Sequence, residues 1–94
     1  MTFVRLFDNP NITSEQYDAA SQSVGVTAEN MPDGDFLHVA GTGPNGWRVI
    51  EVWESEEAAR KFDEERVDPV LKAAGIERPA PETWQAHNLV MRGA

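Results

Sequence analysis

The apolar residues of this chain recur with two different spacings, and the switches between them mark out its elements. Phe3 to Phe7 is a short run of large apolar residues closed by Asp8-Asn9-Pro10, which reads as a strand followed by a turn. Thr13 and Gln16 form a capping-box pattern, with Ile12 and Tyr17 at the two staple positions around it. Tyr17, Ala20 and Val24 then repeat at helical spacing up to Gly25, a left-handed C-terminal cap, which predicts a helix over Ser14–Val24. Val26 to Asp33 keeps no period and ends in the turn Pro32-Asp33-Gly34. Phe36–Ala40 and Trp47–Glu54 are a second and a third strand, joined into a hairpin by Gly41-Thr42-Gly43-Pro44-Asn45-Gly46.

Ser55 is an N-cap, and Glu56 and Glu57 suit the positive end of the helix that it starts. Ala58, Ala59 and Phe62 carry the inward face of that helix. Asp68-Pro69 looks like a fresh start, so a break is predicted before Val70, Leu71 and Ala74 continue the stripe to Gly75. Arg78-Pro79-Ala80-Pro81 is an extended linker, and Thr83 to Met91 alternates as a fourth strand. The order β-α-β-β-α-β predicts a ferredoxin-like α+β fold, a four-stranded antiparallel sheet with both helices on one face, in a single domain over residues 1–94.

Such a sheet leaves one face bare, and a solvated face should be polar. The third strand does not oblige. Trp47, Val49, Glu51 and Trp53 lie on one side of it and Arg48, Ile50, Val52 and Glu54 on the other; the first strand likewise divides Phe3 and Phe7 from Val4 and Leu6. Both faces call for burial, which predicts a homodimer built sheet to sheet.

The balance of 16 acidic against 8 basic residues, a formal charge of −8, excludes nucleic acid and anionic membrane surfaces as partners. The absence of cysteine removes disulfides, thiolate nucleophiles and cysteine-based metal centres. No secretory leader and no membrane-length apolar run is visible, so a cytoplasmic location is expected.

With these elements in place, the chain resembles the dimeric α+β barrel superfamily, in particular the small antibiotic-biosynthesis-monooxygenase-like proteins. The resemblance is carried by Trp53-Glu54-Ser55-Glu56-Glu57-Ala58, by Phe62, and by Val67-Asp68-Pro69-Val70-Leu71, within an element order that spans Phe3 to about Val90. It implies a dimeric barrel of paired sheets with a small-molecule cavity between sheet and helices. It also implies a choice among cofactor-independent oxygenases, haem-degrading enzymes and lactone isomerases. Haem-degrading relatives supply a histidine from the second helix, and none stands between Glu56 and Ala74 here. The strand-one asparagine of several monooxygenase-like members has no evident counterpart, because Asn9 is read as part of a turn.

The candidate site follows from the hairpin. A symmetric Gly41–Gly46 loop sets Ala40 opposite Trp47, His38 opposite Val49 and Phe36 opposite Glu51, with Phe36, His38, Trp47, Glu51 and Trp53 on one face. His38 and Glu51 are then diagonal neighbours: an acid/base and the carboxylate that orients it. The plainer reading of His38 is a satisfied interface residue, and that of Glu51 is an ion pair with Arg5 or Arg48. Tyr17, Trp53 and Phe62 are the expected pocket walls, Trp53 because the matching tryptophan of haem-degrading relatives touches the bound ring. Of His87 and Asn88, which alternate on the fourth strand, at most one joins a cavity. The glycine-rich hairpin loop has no lysine and leads into a strand, so it does not bind phosphate. The two histidines lack metal-ligand spacing. The sequence thus predicts a homodimer binding a small apolar or aromatic metabolite, without metal or cofactor, for cofactor-independent oxygenation or isomerisation. The alternative is a non-catalytic binding or assembly module with the same fold.

Overall fold

The computed structural model describes residues 2–92. Its elements are β1 (Phe3–Asn9), α1 (Ser14–Val24), β2 (Asp35–Gly43), β3 (Gly46–Trp53), α2 (Glu56–Phe62), α3 (Asp68–Ala74) and β4 (Glu82–Gln85). The four strands form one antiparallel sheet in the order β2-β3-β1-β4, the ferredoxin-like arrangement. Helix α1 begins and ends where its capping residues place it. The Thr13 hydroxyl accepts from the Gln16 N–H, the Gln16 side chain accepts from the Thr13 N–H, and Gly25 turns left-handed at φ +79°.

Four boundaries depart from the sequence reading. The glycines of the hairpin do not form a loop: β2 runs on to Gly43 and β3 starts at Gly46, leaving only Pro44 and Asn45 between them. The register consequently moves by two residues, with Thr42 opposite Trp47, Ala40 opposite Val49 and His38 directly opposite Glu51. Phe36 falls in an irregularity between Asp35 and Leu37, and its side chain is exposed instead of joining the face of His38. Strand β4 stops at Gln85, so His87 and Asn88 follow the sheet as exposed, irregular chain.

The fourth departure lies in the second helical segment. A new α-helix does start at Asp68 with Pro69 in its first turn, as expected, but the chain does not leave the helical region before it. The backbone stays right-handed from α2 to α3 through a wide π-turn over Asp63–Val67, in which the Asp68 N–H reaches back to the Asp63 carbonyl. Pro69 accounts for the widening, because its ring has no N–H and would collide with the carbonyl four residues earlier in a regular α-helix.

The inner face of the sheet packs on the helices around a core of Phe3, Trp53, Ala59, Phe62 and Val67. Trp53 is completely buried, its ring 5.2 Å from that of Phe62. The outer face has no helix. Two rows cross it, Leu37–Val52–Val4–Trp84 and Val39–Ile50–Leu6–Glu82, and Leu37, Val39 and Trp84 stay largely exposed.

Gly46 holds the hairpin against the start of the following turn. Its φ is +109°, and a Cβ there would fall 2.5 Å from Pro10 Cα and 2.8 Å from the Asn9 carbonyl. Gly46→Ala should therefore cost about 1–2 kcal/mol in urea unfolding. Gly41→Ala, where a Cβ would meet nothing within 4 Å, should stay within about 0.5 kcal/mol of the parent.

Candidate functional site

The corrected register lines up three side chains across three strands of the inner face: His38 on β2, Glu51 on β3 and Arg5 on β1. Glu51 is nearly sealed from solvent, yet each of its oxygens is occupied. Oε1 accepts from Arg5 Nε at 2.5 Å and from the Trp53 indole N–H at 2.9 Å, while Oε2 lies 3.3 Å from His38 Nδ1. From α1, the Tyr17 hydroxyl reaches His38 Nε2 at 2.8 Å. On the far side, Arg5 grips Asp63, the first residue of the π-turn, through both terminal nitrogens at 2.6 and 2.8 Å, and Asp63 also holds Arg78 at 3.0 Å. A polar chain thus runs from Tyr17 through His38, Glu51, Arg5 and Asp63 to Arg78, most of it inside the protein.

Each proton in this chain has a place dictated by charge. Burial alone would raise the Glu51 carboxyl, but the His38 contact, the Arg5 charge and the Trp53 N–H outweigh it and hold the group down to about 2. Glu51 is therefore a carboxylate at any ordinary pH. A carboxylate only accepts, so His38 Nδ1 carries the hydrogen that faces it, and in the neutral ring Nε2 then presents its lone pair to Tyr17. Burial raises the Tyr17 phenol, with the Glu51 charge adding to the effect and Ser21 opposing it, so Tyr17 is a neutral donor. The guanidinium of Arg5 is held above its usual value: burial works against it, and Asp63 and Glu51 more than offset that.

Asp35, at the start of β2 opposite Trp53, is the exception to this satisfied pattern. It is buried, and neither carboxylate oxygen has a hydrogen-bond partner among the described residues; the Leu37 N–H lends support without reaching bonding geometry. Burial and then the charge of Glu51 push its carboxyl up to about 6, against the pull of His38 and Arg5.

Between the inner face, α1 and α3 lies a half-open cavity of about 110 Å³. Phe7, Ile12, Val24, Val49 and Leu71 make its walls apolar, while Tyr17, His38 and Glu51 close one side with the polar chain just described. Of the anticipated residues, His38 and Glu51 meet face to face, and Tyr17 and Phe62 border the cavity. Trp53 does not. It is packed into the core behind the cavity, with its indole N–H already bound to Glu51. Arg5, not Arg48, is the partner of Glu51; Arg48 pairs with Asp8 on the opposite face.

Four contributors were not read as site residues in the sequence. Asn9 is the last residue of β1 and borders the cavity, though its amide is engaged by the Glu77 carbonyl and the Asn11 N–H. Trp47 lines the cavity beside Tyr17, and Arg78 reaches it from the linker after α3, stacked 4.4 Å over the Phe7 ring. Asp63 ties both arginines. A buried arginine on β1 demands an acid, which is the one signal that pointed towards Asp63; nothing local distinguished Arg78. Among the described residues, no three side chains of the usual metal-ligating types are grouped as a metal site needs, and no helix is long and apolar enough to cross a membrane.

No protein-family model and no curated protein matches the sequence. Solved structures do match the fold over nearly its whole length. A candidate antibiotic biosynthesis monooxygenase from Chloroflexus aurantiacus is 11% identical and superposes with a TM-score of 0.64, over 98% of this chain and 97% of its own. SnoaB, a cofactor-independent oxygenase from Streptomyces nogalater, is 17% identical with a TM-score of 0.61, over 95% and 94%. A protein of unknown function from Nitrosomonas europaea is 17% identical with a TM-score of 0.61, over 99% and 93%. The chain thus shares its fold with structures described as antibiotic biosynthesis monooxygenases and with a cofactor-independent oxygenase.

Proposed function

We propose that the protein is a cytoplasmic homodimer, paired through its open sheet face, that takes a small apolar or aromatic molecule into the cavity and moves a proton there. The observation that carries this reading is the Glu51–His38–Tyr17 relay standing at one side of an otherwise apolar cavity. His38 is the acid/base. A ligand with an acidic proton displaces the Tyr17 hydroxyl from Nε2, and His38 accepts the proton there. Glu51, charged throughout, holds the ring in orientation and balances the imidazolium that forms. If the deprotonated ligand then passes electrons to dioxygen, the outcome is cofactor-independent oxygenation; if the proton returns to another carbon, it is isomerisation. Pairing through the outer face is supported by its two rows, one apolar across all four strands and one apolar across β2, β3 and β1 that ends in Glu82, with no helix over them.

The cavity's size favours a second reading. At about 110 Å³ it is well below the roughly 300–1,000 Å³ of typical small-molecule sites and close to the volume that holds one aromatic ring. A dimer that binds such a molecule, or only assembles, without turnover fits that size too.

Titration with styrene, an apolar ring, and with hydroquinone, a ring with a transferable proton, separates the readings. Both should saturate a tryptophan fluorescence change, and His38→Ala should lower oxygen uptake from bound hydroquinone while leaving its titration curve in place. No saturation by either probe would sink the binding site itself. Saturation without uptake in the parent protein would rule out oxygenation. Sedimentation of a particle of one chain's mass would overturn the dimer.

A further inference from the structure

A carboxylate buried without a donor and a strand that interrupts its own ladder both cost stability, so their coincidence at one residue calls for a reason. Asp35 combines the two. It is 8% exposed, and neither of its side-chain oxygens has a hydrogen-bond partner among the described residues. It also opens the irregularity in β2, where Asp35 stands opposite Trp53 and Leu37 already stands opposite Val52.

The surplus residue changes the face on which the carboxyl lies. Asp35 and His38 are three apart, and on an uninterrupted strand residues three apart point to opposite faces. Here Phe36 is the surplus residue and its side chain is exposed. Asp35 and His38 consequently stand opposite Trp53 and Glu51, two neighbours on the inner face of β3. The bulge thus brings a second carboxyl to the face of His38 and Glu51, one same-face step of roughly 7 Å along from the histidine.

The surroundings leave Asp35 one cation to meet. Arg5 on β1 is engaged elsewhere, its Nε by Glu51 and its two terminal nitrogens by Asp63. Glu51 on β3 is negative and opposes the charge of Asp35. Tyr17 on α1 is a neutral donor to His38. Ala58 of α2 lies beside Gly34, and Glu54, just after β3, is exposed. His38, on the same strand, is the remaining group whose positive charge an ionised Asp35 can face.

We propose that Asp35 is a positioning residue of the proton-transfer site, a counter-ion that the bulge holds on the inner face to stabilise the His38 imidazolium. The inference rests on His38 being the acid/base, as set out above, and adds a group that governs how firmly it keeps a proton. Glu51 already shares its charge with Arg5, so a second carboxylate adds to the balance that it provides. When the ligand gives up its proton, the bonding electron pair stays on the ligand and the proton goes to Nε2. The new charge on the ring then lies between two carboxylates.

Coupling between two titrating groups is reciprocal, so it can be read on Asp35 itself. The Asp35 carboxyl ¹³C resonance, followed against pH, should show a midpoint of about 6 in the parent protein. In His38→Gln, which keeps a donor for Glu51 and cannot charge, that midpoint should rise by about half a unit or more. Midpoints that agree within about 0.2 units would overturn the pairing, because a carboxyl that only fills space titrates alike in both proteins. Asp35→Asn, which is expected to fold at least as firmly as the parent, gives a second reading. The acid limb of its oxygen uptake from hydroquinone should move to lower pH by about half a unit, since the charge that holds the proton on the ring is gone. A changed rate with the limb in place would also overturn the proposal. A raised Asp35 midpoint in His38→Gln, without uptake in the parent, would uphold the charge pairing and sink the oxygenation reading alone.

Discussion

Arg5→Leu is expected to destabilise the protein by roughly 3–5 kcal/mol, the usual consequence of removing one member of a buried ionic network and leaving the others charged. Arg5 is only 5% exposed, yet it neutralises Glu51 from β3 and Asp63 from the π-turn at once, and its guanidinium lies over the rings of Phe7 and Trp53. Leucine fills part of the volume and none of the charge. Asp63 keeps Arg78, and Glu51 keeps His38 and the Trp53 N–H, so the loss falls mainly on Glu51. Urea unfolding at fixed protein concentration measures it. The double variant Arg5→Leu with Glu51→Leu should recover a large part of the deficit, because the stranded carboxylate is gone. A loss below about 1 kcal/mol for Arg5→Leu would show that water reaches Glu51 in the folded protein.

The second expectation concerns a group that the fold leaves unsupported. Asp35→Asn should stabilise the protein by about 2 kcal/mol at pH 8 and leave it unchanged near pH 3. The direction follows from linkage. A carboxyl raised from 3.8 to about 6 favours the fold in its protonated form; that favour is complete below pH 3.8 and is lost as the pH rises through 6. The displacement corresponds to about 3 kcal/mol as an upper bound, and the amide recovers less than this because it too is buried and polar. Glu51 behaves in the opposite sense. Its lowered carboxyl contributes stability that is present above about 4.5 and disappears as the pH falls through 2. Parent and variant stability curves should therefore separate between about pH 4 and 6 and run parallel above it. Curves that stay parallel across the whole range would mean that Asp35 does not change charge on folding as described.

The sequence and the structure agree best where structure is set locally. Thr13, Gln16 and Gly25 bound α1 without outside help, because a capping box and a left-handed cap involve only near neighbours. The element order followed from such signals, and with it the fold. The face shared by His38 and Glu51 was also legible, for a reason that has little to do with getting the hairpin right. Side chains alternate with a period of two, so a register error of two residues moves partners along the strand and leaves every face intact. Phe36 escaped that protection, because the irregularity after Asp35 breaks the alternation. Trp53 was misplaced for a different reason. A tryptophan on the inner face either lines a cavity or fills the core, and only the position of Phe62 decides which. Arg78 and Asp63 lie 73 and 58 positions from Arg5 in the chain, so no local pattern could join them. The short β4 fails for want of partners: its pairing with β1 ends where Phe3 meets Gln85, whatever the alternation beyond it.

The wide turn at Asp63–Val67 sets a phase. On an uninterrupted α-helix, two residues five apart point about 140° away from each other. Phe62 and Val67 are five apart, yet both are buried in the same core cluster, because a turn closed over five residues brings them round to one side. The same extra residue lets Asp63 face inward between Arg5 and Arg78 while Leu71, a turn and more downstream, still packs on the core. The angular offset between α2 and α3 and the charge balance beneath β1 are thus set by one count. A chain one residue shorter or longer there would have to give up either the packing of its second half or the counter-ion of Arg5.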